Sequence, residues 1–467
     1  MLQPRLLAQR IVPILVLFVV LVLVPAAVAK LAHPTAPADR TMPTVSGPRV
    51  HHNSVARAGS SLGLRALAAG APRCSGAQGR TSRACCTRPR PRSPSQAFGS
   101  TPPWCTRGPT QHYEYVFPDG SMSVYDIDHG HTLVEQVRLP TSAGVRGVAA
   151  SPMTHMLYVS YGGDGGSHST GSLLEYNLLT DQVVWTKNYR HGIDSMAISP
   201  DGKTIYMPDG ELSPNGSWYV VNAATGHEVG TINAGTGPHN TVVSLDGSLV
   251  YLGGRNYNYF EVASTKTNQV IRKVGPFKSG IRPFTVNGRN TFVYTSVTGF
   301  LGFQVGDITR GKVLYTVPIK GYSVPSNFPA SDPSHGISLS PDERELYVMD
   351  SPNSYVHVFD VSGVPRRPPV QVANIPMSHP MPGYEHPCAY DCFKDGWLQH
   401  SKDGRFVYVG DEGDVIDTAR RRVVATLSAL ANTRKMLEID WRNGVPVFTT
   451  TRTGLGHITN QVRPTSR

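Results

Sequence analysis

From about residue 113 onward, apolar and polar residues alternate with a period of two in short runs separated by Gly, Pro, Asn and Asp. That alternation, with β-branched and aromatic residues filling the runs, predicts strands and hairpins rather than helices. One unit recurs: a short apolar strand, a Ser-Pro-Asp-Gly-like turn, then an aliphatic-Tyr-aliphatic strand. It reads VAASPMTHMLYVSYGG, MAISPDGKTIYMPDGE, VVSLDGSLVYLGGRN, FTVNGRNTFVYTSVTG, ISLSPDERELYVMDSP, LQHSKDGRFVYVGDEG and, more loosely, LEIDWRNGVPVFTTTR. The aromatic anchors are Tyr158, Tyr206, Tyr251, Tyr294, Tyr347, Tyr408 and Phe448, with an earlier copy at Tyr115. Between these hairpins lies a second strand pair, as in SVYDIDHGHTLVEQVRL and WYVVNAATGHEVGTI.

Four strands per unit, with anchors 40 to 61 residues apart, match the length of a propeller blade. A lone four-stranded sheet cannot bury both its faces, whereas blades stacked in a ring cover one another and leave only short edges. The predicted fold is therefore all-β, a seven-bladed β-propeller over residues 111–460. Strands from Tyr113 to Pro140 are expected to complete the blade that the C-terminal hairpin begins. The extra aromatic copy at Tyr115 leaves eight blades as the alternative.

The segments SPDGKTIYM, SLDGSLVYL, SPDERELYV and SKDGRFVYV resemble the YVTN-family β-propeller repeat, related to the lactonase and nitrous-oxide-reductase N-terminal propellers. The resemblance covers about three quarters of the chain. A WD40 propeller fits less well, because no blade ends in Trp-Asp with a Gly-His pair ahead of it.

The first 110 residues have a different character. Arg5 and Arg10 precede an unbroken apolar run from Ile11 to Ala29, which ends in Ala-Val-Ala. A basic start, an apolar stretch and small residues before a cleavage point are the marks of an export signal. Left uncleaved, residues 11–29 would be a membrane tether. Residues 30–110 are rich in Arg, Pro, Ser and Ala, show no sustained period, and are expected to be disordered. The export signal places the propeller in the periplasm, outside the cell, or anchored on the outer membrane face.

The formal charge of +11 is concentrated in this leading part. Residues 40–113 hold eleven Arg, no Lys and no acid, so the sequence after Tyr113 carries about −2. A nearly neutral propeller lacks the clustered basic surface that phosphate backbones require, which speaks against a nucleic-acid partner. Four of the six Cys lie in the leading segment, which leaves Cys388 and Cys392 as a candidate local disulfide.

Candidate chemistry follows from the fold. The residue five places before each turn Ser should ring the channel mouth once per blade. This gives Arg146, Asp194, His239, Arg282, His335 and Gly396, with Met436 beside Lys435 in the last blade. Loops after the Tyr strands should open on the same face and add Asp164, Asp209, Glu211, Arg255, Asn256, Asp350, Asp411 and Glu412. Two long insertions, Gly321–Ser334 and Pro376–Asp395, also run into inner strands over that mouth.

Ionisable side chains gathered on one axis exceed what packing requires. They suit a non-catalytic binding scaffold for a small molecule, a polymer or an envelope protein, with a monomer expected. The alternative is a lactonase-like hydrolase, with His239 or His335 as base and Arg146 or Arg282 as cation, or a metal-dependent oxidoreductase. No cofactor is expected, although a divalent metal at His239 and His335 stays open. The chain carries no GxSxG, HExxH, P-loop or dinucleotide fingerprint.

Overall fold

The computed structural model describes residues 109–163, 170–381, 383–387 and 393–450. The apolar run at 11–29, the rest of the leading segment through residue 108, Asp164 and the Cys388/Cys392 pair lie outside them. Among the described residues, no helix is long and apolar enough to cross a membrane.

Seven sheets make up the described fold, as expected of a seven-bladed propeller. Among the described residues the first strands are β1 (Gln111–Val116), β2 (Ser121–Asp126) and β3 (Thr132–Arg138). Six four-stranded blades follow, each running from the channel outward. They are β4–β7 (Val145–Ser151, Met156–Tyr161, Gly171–Asn177, Gln182–Tyr189), β8–β11 (Ala197–Ile198, Thr204–Pro208, Ser217–Asn222, His227–Asn233), and β12–β15 (Pro238–Val243, Leu249–Gly254, Phe260–Ser264, Gln269–Val274). Next come β16–β19 (Ile281–Val286, Phe292–Val297, Gly302–Asp307, Lys312–Pro318), β20–β23 (Ile337–Leu339, Glu345–Asp350, Tyr355–Asp360, Val370–Pro376), and β24–β27 (Trp397–His400, Phe406–Gly410, Asp414–Asp417, Arg422–Thr426). The last strands, β28 (Met436–Arg442) and β29 (Val445–Thr449), join the first three in a five-stranded sheet of order β29-β28-β1-β2-β3.

The turn within five of the inner hairpins is built by its own side chains. Ser199 Oγ donates to Asp201 Oδ1 (2.6 Å) and accepts from the Thr204 amide (3.0 Å), while Asp201 also accepts the Lys203 amide. Ser244 with Asp246, Ser340 with Asp342, and Ser401 with Asp403 repeat the pattern. Asn287 does the same work in the fourth blade by accepting two amides. Glycine closes several of these turns at positive φ; a Cβ on Gly202 would also strike Ser151 Oγ at 2.3 Å.

The core lies between blades. The anchors Tyr158, Tyr206, Tyr251, Tyr294, Tyr347 and Tyr408 are all buried. Each apolar cluster draws on adjacent blades, as where Tyr158 and Leu173 pack with Ile205 and Tyr219. The outermost strands alternate exposed and half-buried positions. A bulge recurs between the third and fourth strands of every blade, as at Val220/Val221 and Val262/Ala263, and strengthens the twist.

Closure departs from the sequence reading in one respect. Tyr115 on β1, not Phe448, occupies the aromatic position of the seventh blade: β1 pairs with β28 (Tyr115↔Leu437), and Trp441 Nε1 donates to Tyr115 Oη at 3.0 Å. The early aromatic copy therefore completes the seventh blade and makes no eighth. With one edge of β28 taken by β1, β29 can pair only along the other, channel-side edge. There Phe448, Thr449 and Thr450 help to wall a largely apolar cavity of about 160 Å³ at the end of the channel where the inner strands turn.

Candidate functional site

Residues from most of the blades meet at the opposite end of the channel, around a small polar cavity of about 20 Å³. Arg146, Asp194, Glu211, His239, His335, Arg434 and Lys435 stand on its wall, with Trp397 beside them. Three of the side chains are aimed by local backbone irregularity. Pairing of β4 with β5 skips Arg146, pairing of β12 with β13 skips His239, and pairing of β16 with β17 skips Arg282. A residue left out of the ladder by a bulge is free of the alternation that would turn it into a blade face. Asp194 and His335 reach the same level from the segments just before β8 and β20.

His239 is the hub. Its Nδ1 lies 2.6 Å from Asp194 Oδ2 and 3.2 Å from Glu211 Oε2. Burial alone would raise both carboxyls, but His239 and the surrounding cations pull Asp194 below its ordinary range and Glu211 down to about 2. Both are thus ionised and can only accept, so Nδ1 carries the hydrogen. The other ring nitrogen, Nε2, is buried and has no hydrogen-bond partner. Glu211 is held from behind by Arg255 (2.7 Å) and Arg282 (3.7 Å), and Arg282 turns its Nε to Asp332 (3.3 Å).

His335 lies against His239, ring centroids 5.9 Å apart, and against Trp397 at 5.4 Å. Burial, then the charges of Arg434 and Arg282, hold its pKa well below the ordinary value, so the ring is neutral. Nδ1 donates to the Gly396 carbonyl (2.8 Å), which fixes the tautomer. Arg434 closes this side. It pairs with Asp395 and Glu385 and lies 3.5 Å from Asp411. Burial and the neighbouring Glu385 push the Asp411 carboxyl well up, while Arg434 and Lys435 overcome burial to hold Glu385 down.

The sequence-predicted residues thus fall into three groups. Arg146, Asp194, His239 and His335 come together on the wall; Arg282, Arg255 and Asp411 stand directly behind it. Asp209 and Asp350 lie elsewhere. Asp209 accepts from Ser213 and Ser217 and faces His191 at 3.5 Å, bracing the loop after β9. Asp350 holds Asn353 and His357 inside its own blade. The last-blade position also shifts, because Met436 is packed in the apolar core while Lys435 and Arg434 take the wall.

Both long insertions do reach the site, bringing Asp332 from one and Glu385 and Asp395 from the other, all buried. These three, with Arg434 and Trp397, were not picked out from the sequence. For the three acids the position of the insertions was the signal, whereas Arg434 and Trp397 adjoin Lys435 and Gly396, which the sequence reading had placed at the mouth.

Asp194, Glu211 and His239 offer three donor atoms within 4.8 Å of one another, the types a divalent metal takes. A dication there would have to displace the His239 Nδ1 hydrogen and would meet the guanidinium groups of Arg255 and Arg282 across Glu211. The chemistry of this donor set already has its positive charge.

No family model matches the chain, and no curated protein matches it in sequence. Among solved structures, it is similar to one described as Kuenenia stuttgartiensis hydrazine synthase, at 18% identity over 68% of this chain and 89% of that one, with a TM-score of 0.45. It is also similar to a functionally unknown protein from Desulfotomaculum acetoxidans DSM 771, at 15% identity over 69% of this chain and 98% of that one, with a TM-score of 0.51. At such identities a likeness speaks for the fold alone, which is that of a seven-bladed β-propeller.

Proposed function

We propose that this chain is an exported propeller of the YVTN repeat type that binds a small molecule at the channel mouth without transforming it. The observation that carries this reading is the buried ring itself. Side chains from separate blades converge on one polar cavity, and the His239 nitrogen on its wall lacks a partner. Burying such groups is unfavourable unless something meets them. The cavity has room for about one water-sized group, so it grips a ligand's tip and leaves the ligand's body in the mouth. That geometry suits recognition better than turnover.

The test is a thermal-shift screen of the purified propeller against small polar metabolites, followed by calorimetry. Any hit should lose its effect in His239→Phe. Hits that survive this substitution, or a screen with no hit at all, would remove the channel mouth as a binding site. Export predicts that the chain fractionates outside the cytoplasm and that removing residues 11–29 retains it inside.

One observation favours a hydrolytic reading as the second choice. Asp194 orients His239 as a carboxylate orients a general base, with cations close by that could hold an oxyanion. Ester and lactone hydrolysis abolished by His239→Gln would establish it.

A further inference from the structure

Neighbouring strands of a blade are antiparallel, so the turn between its first and second strands and the turn between its third and fourth lie at one end, away from the mouth. On this turn face charge is unevenly spread. The turns of the fourth, fifth and sixth blades, residues 287–291, 307–312, 340–345, 360–369, 401–406 and 417–422, hold eleven Lys and Arg against seven Asp and Glu. The corresponding turns of the other four blades hold three against five. A propeller that is nearly neutral as a whole thus gathers cations on one side of one face.

The acids in these turns are occupied in building them. Asp307 accepts the Arg310 amide and pairs with its guanidinium, and Asp417 with Arg420 and Asp403 with Arg405 do the same. Asp342 accepts from Ser340 and from the Arg344 amide. Glu345 pairs with Arg421 (2.6 Å) and Glu343 accepts the Gly288 amide (2.7 Å), two contacts that hold the turns of adjacent blades side by side. Left over are Arg289, Lys312, Arg344, Arg366, Arg367 and Arg422, all exposed and, among the described residues, in no ion pair. Arg367 and Arg344 act on Asp360, and Arg289 on Glu343, only across a gap.

Apolar groups share this face. Met153 and Leu179, in the two turns of the first blade, are 69% and 43% exposed, and the largely apolar cavity walled by Phe448 lies at the same end. The unpaired cations stand on inner and outer turns of three blades, too widely spread for one small anion, whereas a flat anionic surface meets them together. Protruding apolar side chains are what the headgroup layer of a bilayer takes up. The chain also enters the propeller here. β1 starts at Gln111, opposite Trp441 and beside the β28–β29 turn, so the leading segment with its apolar run and eleven Arg joins at this face.

We infer that the turn face is a membrane-docking surface, laid on a bilayer that carries anionic lipids. The six unpaired cations meet the headgroup phosphates, and Met153 and Leu179 dip into the headgroup layer. The polar mouth, at the other end of the channel, then points away from the bilayer and stays open. This does not depend on what the mouth binds.

The test uses the whole chain with vesicles of phosphatidylcholine alone or of equal parts phosphatidylcholine and phosphatidylglycerol. The leading segment is itself basic, so the readout is local: hydrogen–deuterium exchange of peptides covering residues 152–155, 360–369 and 417–422. Mixed vesicles should slow exchange there by about threefold or more at low salt, and less at high salt, while residues 323–331 at the mouth are unchanged. Arg366→Glu with Arg367→Glu should abolish the slowing. Lys278→Glu with Lys320→Glu, the same change in charge at the mouth end, should keep it. Far-UV circular dichroism checks that both variants are folded.

Unchanged exchange in all three turn peptides would overturn the inference, as would equal slowing by phosphatidylcholine alone. Slowing that survives the Arg366 and Arg367 reversal in a folded chain would overturn it as well, by showing that the leading segment alone does the docking. Soluble polyphosphate that protects the same turns more strongly than the mixed vesicles would replace the bilayer by a free polyanion. None of these outcomes bears on the channel mouth, whose ligand screen stands or fails separately.

Discussion

Replacing Glu211 by Gln removes the anion that joins His239, Arg255 and Arg282. The size of the effect can be worked from its titration. Glu211 is almost fully buried, yet its partners hold its pKa at about 2 against an ordinary 4.5. At about 1.4 kcal/mol per pH unit, that difference amounts to about 3 kcal/mol of stability. An acid whose pKa is lowered by folding stabilises the native state above its unfolded value, and the contribution is lost as the pH falls. The window therefore runs from about pH 4.5 down to about 2.

At neutral pH, Glu211→Gln leaves Arg282, which is 1% exposed, with Asp332 as its remaining acid, so a loss of about 3 kcal/mol is expected. The assay is urea denaturation of wild type and variant at pH 7 and again near pH 3. The two should differ by about 3 kcal/mol at pH 7 and by only about half of that near pH 3, partway down the window. A variant within about 1 kcal/mol of wild type at pH 7 would refute the reasoning, because the ion pairs would then only repay their own desolvation. Equal differences at both pH values would refute it too, by showing that the loss comes from packing rather than charge.

Glu114 should behave in the opposite sense. Both its carboxylate oxygens are buried without a partner, opposite Glu438 across the β1–β28 closure, and burial raises its pKa well above the ordinary value. A raised acid loses stability as the pH climbs above its unfolded value, so Glu114→Met should raise the melting temperature more at pH 8 than at pH 5. At the same closure, Trp441→Ala should cost about 3–5 kcal/mol by chemical denaturation, since the indole is buried and donates to Tyr115. A chain ending after β27 should fail to fold, as judged by near-UV circular dichroism, because β1 would have no inner strand to pair with. Elemental analysis of the purified propeller should find no stoichiometric divalent metal; a metal lost in His239→Ala would show that Asp194, Glu211 and His239 form a metal centre after all.

The sequence by itself determined the repeat, and through it the blades. Strand alternation, the Ser-x-Asp turn and the buried Tyr are local, each satisfied within one hairpin or by the next blade, so they recur legibly along the chain. The level of the ring was legible for the same reason, since Arg146, Asp194, His239, Arg282 and His335 all stand at one offset from the turn.

Tertiary structure decided the rest, because each remaining feature depends on residues far apart in sequence. Which aromatic completes the seventh blade turns on β1 taking one edge of β28, hundreds of residues away, which pushes Phe448 to the channel side. How Arg146, His239 and Arg282 leave the blade faces turns on bulges that skip them, and a bulge leaves no repeating mark in the sequence. The partners that set the charge of the site, Asp332, Glu385, Asp395 and Arg434, come from two insertions and the approach to the last blade, where there is no period to read. Ionic pairing is a matter of distance in space, and only closure of the ring brings those distances within a few ångströms.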